Sequence, residues 1–142
     1  MSLADIFNQK TLSADFLSSN ENQAFHLFEQ APIAIAIFKG PDAVFELANK
    51  RALEIIGKTR EEVIGRKLVE VLPELKEQGY LDIIKKVYNS GETFTADEAP
   101  AICIRDGQKI HTFIKYVFQP LKDLDGNITG VMLSGDDVAL QV

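Results

Sequence analysis

Two histidines, one cysteine and a pair of adjacent carboxylates are the residues here whose types could do chemistry, and their spacing argues against most of it. His26 and His111 lie far apart, and neither has a second His, Cys or carboxylate at ligand spacing, so no metal site is expected. Cys103 falls in a stretch that reads as a strand. No neighbouring His or helix terminus is at hand to lower its thiol pKa, so it reads as a small buried or edge residue rather than a nucleophile or redox centre. Asp97 and Glu98 are more interesting, because a carboxyl group held in an apolar pocket can act as an acid or base. On a regular strand one of the two faces inward, whereas Pro100 marks a bulge or edge that can turn both to solvent. A small pocket enzyme of a cone-like α+β fold using Asp97 or Glu98 therefore stands as the alternative reading. No Ser/His/Asp set or Gly-rich phosphate loop accompanies them, and the favoured reading is a domain that is not an enzyme.

The elements that would position these groups follow from periodicity and caps. A helix is expected from Asn20, its apolar stripe carrying Ala24, Phe25, Leu27 and Phe28, and Pro32 ends it. Ile33, Ile35 and Ile37 alternate with Ala34, Ala36 and Phe38 as a strand. Lys39-Gly40-Pro41-Asp42 turns the chain into a second strand, Ala43 to Ala48, with Phe45 and Leu47 expected on one face. Asn49 is a strong N-cap for the short helix that follows, and Gly57 closes it in the left-handed conformation. Thr59-Arg60-Glu61-Glu62 has the form of a capping box. Leu81 to Tyr88 is the best amphipathic helix, terminated by Asn89-Ser90-Gly91.

The remainder reads as β. Phe94 to Arg105, Lys109 to Leu121 and Ile128 to Ser134 are strands joined at Asp106-Gly107 and Asp125-Gly126. In the middle strand Ile110, Thr112, Ile114, Tyr116 and Phe118 face one way and His111, Phe113, Lys115, Val117 and Gln119 the other. Helix, two strands, several short helices and three strands imply an α+β domain, a five-stranded antiparallel sheet with helices on one face.

Composition narrows the function. The chain has 142 residues, 46% of them hydrophobic, which suits one domain that needs no disulfide staples. The formal charge of −6 is spread over scattered carboxylates, a surface that repels phosphate backbones, so nucleic-acid binding is not expected. One cysteine, no secretory signal and no apolar run near the ~20 residues of a membrane helix make a cytoplasmic protein without membrane insertion the expectation.

The ordered pieces resemble a PAS domain. They are Leu27-Phe28-Glu29-Gln30-Ala31-Pro32, then Asn49 with Gly57, then Glu62-Val63-Ile64-Gly65-Arg66 and Asn89-Ser90-Gly91-Glu92. Gln119-Pro120-Leu121-Lys122-Asp123 with Asp125-Gly126 and Gly130-Val131 complete the set. On this resemblance residues 21–138 form the domain, 1–20 a flanking segment and 139–142 the start of a signalling linker. It implies the strand order 2-1-5-4-3, a pocket against the inner face, and a sensory or dimerisation role in a signal-transduction protein, a histidine kinase above all. The output domain would be covalently linked or held by a partner. Asp136-Asp137-Val138-Ala139 resembles the Asp-Val/Ile-Thr exit of such domains, with Ala139 in place of the usual Thr. The reactive Cys of flavin photoreceptors in the family has no counterpart in residues 59–62, and residues 80–89 hold no His for haem. Neither group is expected, and the cofactor, if any, is open.

The inner face would be lined by Phe45, Leu47, Leu53, Ile56, Leu68, Leu81, Ile84, Tyr88, Phe94, Ile114, Tyr116, Phe118 and Leu133, with Tyr88, Tyr116 and Thr112 supplying polar contacts to a small molecule. A core filled by its own aromatics is the competing possibility. On the outer face Phe113, Val117 and Met132 are apolar where solvent would call for polar residues. The leading helix, through Phe25 and Phe28, is expected to cover them within the chain or across a homodimer. Asp136 and Asp137 form the expected signal exit.

Overall fold

Alternation in Ala34–Lys39 sorts the chain's apolar residues onto two sides of a sheet, and the rest of the architecture follows from that sorting. The computed structural model describes residues 22–137. Five strands, β1 (Ala34–Lys39), β2 (Val44–Ala48), β3 (Phe94–Arg105), β4 (Gln108–Lys122) and β5 (Ile128–Asp137), pair antiparallel in the order β2-β1-β5-β4-β3. This is the expected α+β class and strand order. Helix α1 (Asn22–Gln30) precedes the sheet. Five more helices lie between β2 and β3: α2 (Lys50–Ile56), α3 (Arg60–Val63), α4 (Leu68–Val71), α5 (Pro73–Glu77) and α6 (Tyr80–Ser90). The cap expected at Asn20 lies outside the described residues. Among the described residues no helix is long and apolar enough to cross a membrane.

Ala36 and Phe38 join the larger, inner core with Phe45, Leu68, Ile84, Tyr116 and Phe118, under the helices α2 to α6. Ile35 and Ile37 point the other way, into a smaller cluster with Phe28, Leu121 and Met132. Phe28 is 0% exposed, so α1 covers part of the outer face within the same chain. Burying one such ring contributes about 1.5–3 kcal/mol. The other large residues expected on that helix stripe, Phe25 and Leu27, stay 46% and 61% exposed.

Leu47 corrects the expectation that it shares a face with Phe45. Ile37 pairs with Leu47 but Phe38 pairs with Phe45, so Glu46 is an extra residue in β2. An inserted residue flips the alternation beyond it. Phe45 therefore reaches the inner core while Leu47 packs on the outer cluster. A second irregularity lies between Ala96 and Ala99, just ahead of Pro100 on the edge strand β3. Asp97 falls in it, its side chain 76% exposed with an oxygen 4.0 Å from Lys115 Nζ.

The two sheet edges are closed by different means. Along β2 the main chain of the α3–α4 connection supplies the bonds: Gly65 N–H donates to Phe45 O (2.8 Å), Phe45 N–H to Arg66 O (2.9 Å) and Leu68 N–H to Ala43 O (2.9 Å). Along β3 side chains do it. Tyr80 Oη donates to Pro100 O (2.8 Å), and Glu74 Oε1 accepts from Ile104 N–H (3.3 Å). Between them the Gln78 amide both donates to Ile102 O (2.9 Å) and accepts from Ile102 N–H (2.7 Å). Residues 100, 102 and 104 thus meet a row of side chains where a sixth strand would lie, which blunts an otherwise open edge.

Candidate functional site

The site is built outward from Asn49, where β2 ends. Its side chain is 0% exposed and every hydrogen-bonding position of the amide is used. Oδ1 accepts from Ala52 N–H (2.9 Å), the expected N-cap, and also from Ile35 N–H (3.0 Å). Nδ2 donates to Phe28 O (3.0 Å) and Ile33 O (2.9 Å). One short side chain therefore joins the end of α1, the entry to β1 and the start of α2. Gly57, at φ 67°, closes α2 by donating to Leu53 O (2.9 Å).

Helix α2 so placed holds Arg51 against the last strand. Arg51 Nη2 and Nε lie 2.8 and 3.1 Å from Asp136 Oδ1, both side chains half-buried. On the next helix Arg60 Nη2 donates to Ala48 O (3.0 Å) and to Glu29 (2.9 Å), tying α3 to the end of β2 and to α1. Glu62, back along α3, accepts from the Thr59 N–H and hydroxyl, each at 3.0 Å. Those two hydrogen bonds hold its carboxyl below the ordinary carboxylate range.

Between the sheet and α2 to α6 lies a cavity of about 90 Å³. Of the residues expected to line it, Phe45, Ile56, Leu68, Ile84, Ile114, Tyr116, Phe118 and Leu133 do. Leu53 and Tyr88 instead pack half-buried against the same core, and Leu81 lies buried within it away from the cavity wall. Thr112 is buried opposite Ala101 on β3, also outside that wall. Phe94 is 37% exposed and likewise outside the wall; its ring stacks on Tyr116 at 6.2 Å and borders a separate surface groove with Asp82 and Lys86. These placements follow from helix rotation and from how far along its strand each residue lies, which spacing alone leaves undetermined.

The cavity also takes residues that hydrophobicity did not single out. Ala34, Ala36 and Ala52 border it, as do Gly135 and Asp136 of β5. Tyr80 contributes its ring while its hydroxyl is turned to Pro100 O, and Tyr80 and Phe118 meet Tyr116 edge-on at 5.6 and 4.9 Å. Burial pushes the Tyr116 phenol above its ordinary value. A signal for the small residues was present in the sequence: alanine stands at two of the three inward positions, 34 and 36, of a strand whose outward positions 35 and 37 are isoleucine.

Phe28 and Met132 are buried together in the chain's own outer cluster, so of the two ways in which the leading helix was expected to cover this face, Phe28 does so within the chain. Phe25 and Phe113 are exposed, at 46% and 53%, and Val117 is half-buried. Asp137 pairs through its main chain with Ile114 at the end of β5. Both histidines are exposed, and among the described residues no group of three metal-ligating side chains assembles.

Residues 28–142 match the family model described as PAS fold. Among solved structures, the Vibrio cholerae VqmA dimer without its target DNA is 25% identical, with a TM-score of 0.65 over 81% of this chain and 51% of that one. VqmA bound to DPO matches at 25% identity and a TM-score of 0.65, over 82% of this chain and 57% of that one. The PAS domain of the histidine kinase ThkA matches at 23% identity and a TM-score of 0.58, covering 74% of this chain and 98% of that domain. The chain thus spans little more than half the length of the VqmA chains it resembles.

Proposed function

Because this chain belongs to the PAS family, a family of sensory domains, we propose that its inner cavity is the sensory site and that β5 carries the response outward. The observation that carries this reading is the double role of Asp136, which borders the cavity and holds Arg51 of α2. The wall includes Ala52, Ile55 and Ile56 from α2 and Leu133, Gly135 and Asp136 from β5. A molecule that fits better when α2 and β5 stand slightly apart shifts the population of that arrangement, and the exit at Asp137 passes it on. On this reading the sensory domain runs over residues 21–138, after a flanking segment 1–20 and before a linker that starts at 139–142.

The output proposed is a histidine kinase, linked or in a partner, in the cytoplasm; the likeness to the ThkA domain supports the fold this requires. VqmA, a dimer with a target DNA, favours a second reading in which the output binds DNA. In both we read the domain itself as non-catalytic: Asp97 stands in solvent rather than in an apolar pocket, and the side chain of the other candidate, Glu98, lies outside the described residues. Pairing into a homodimer is proposed through the exposed Phe25 and Phe113 with Val117. Native mass spectrometry of the purified chain tests the reading. A dimer carrying an excess mass lost on denaturation is the expected result; a bare monomer at micromolar concentration overturns both the captured ligand and the pairing.

A further inference from the structure

We propose that the cavity selects a small, uncharged, apolar molecule, no larger than one six-membered carbon ring. This rests on the cavity being the sensory site. The first argument is size: its 90 Å³ is smaller than the roughly 150 Å³ engineered cavity that takes benzene or xenon. The second is chemistry. Although two tyrosines and an aspartate border the cavity, polar atoms contribute none of its surface. The Tyr80 hydroxyl is bonded to Pro100 O and the Asp136 carboxylate to Arg51. Water is held in such a space by two to four polar partners, and the cavity surface presents none. A ligand hydroxyl there leaves water without finding a partner and loses roughly tenfold or more in affinity. An anion meets Asp136, and a cation competes with Arg51 for it.

The void is set by small residues. Gly135 cannot be larger, because a Cβ there would lie 2.4 Å from Lys115 O. Ala36 on β1 and Ala52 on α2 border the cavity from its two sides, so a larger side chain at either position takes up its space. Filling the cavity with protein carbon should therefore remove binding without harming the fold.

The test is methyl NMR of the purified chain titrated with xenon, benzene, phenol and benzoate, read at Ile56, Leu68, Ile84 and Leu133. Xenon and benzene are expected to shift these methyls saturably, with phenol at least tenfold weaker than benzene and benzoate silent. Ala36→Val, whose branched side chain suits a strand, is expected to weaken benzene at least tenfold while keeping the melting temperature; Ala52→Leu repeats the test from the helix side should the first variant not fold. Phenol or benzoate binding as tightly as benzene overturns the apolar class and leaves the sensory reading standing. Unchanged benzene affinity in both filled variants places the binding elsewhere and overturns the proposal. No shift with any probe, xenon included, overturns the sensory reading of the cavity itself.

Discussion

The two edges of the sheet meet the same physical problem in different ways. Both β2 and β3 end the sheet with main-chain groups that need partners. At β2 the partners are the main chain of residues 65–68, so many side chains there can vary as long as Gly65 keeps its left-handed turn at φ 85°. At β3 the partners are Glu74, Gln78 and Tyr80, and each bond depends on one residue type. The edge made by main chain is robust to sequence change, while the edge made by side chains is specified by it. The cavity lies between these edges, bounded on β3's side by the ring of Tyr80.

The largest effect should come from Asn49, which secures the β2 side. Asn49→Ala leaves Ile35 N–H, Ala52 N–H, Phe28 O and Ile33 O without their partner in a buried place. A loss of about 3–5 kcal/mol is expected in urea unfolding, from the desolvation of several such groups and the lost cap. A loss under about 1 kcal/mol would mean that water replaces the amide.

Gln78→Ala should cost less, about 1–2 kcal/mol, because Ile102 is only part-buried and water can reach its freed groups. Its signature is local: hydrogen exchange at Ile102 and Ile104 N–H should speed up while that of β1 stays slow. Uniform acceleration across the sheet would show that the β3 edge is no separate unit.

The smallest effect belongs to Glu62, beside the main-chain strip that covers β2. Its carboxyl is held below the ordinary value of 4.5, so the folded state favours the charged form. That contribution is complete at neutral pH and is lost as pH falls below 4.5 and through the folded value. Glu62→Gln should lower the melting temperature slightly at pH 7, and the gap from the parent protein should close by pH 3. A gap independent of pH would assign the effect to helix propensity instead.

Much of this was legible because it is local. The Asp106-Gly107 turn has positive φ at both residues, 50° and 76°, which is what such a dipeptide does between two strands. Asn49 and Gly57 bracket α2 as their types require. The cavity was half legible: bulky apolar residues announce a core, but they do not announce a void, and the alanines that leave it open look like filler in a sequence. Gln78 carried no signal at all, since a glutamine on a polar stretch reads as solvent-facing until the strand it touches is known to be an edge.

By itself, then, the sequence determined the elements, their caps and turns, and through the ordered resemblance the strand order, because these depend on neighbours within a few residues or on a pattern repeated along the chain. Tertiary structure alone decided the rest. One extra residue at Glu46 sent Leu47 to the outer cluster. Phe28 was buried while Phe25 was left in solvent, and Arg51 was set on Asp136 from the far end of the chain. Each of these is a contact between segments whose separation in sequence says nothing about their distance in space, so packing, not propensity, settles them.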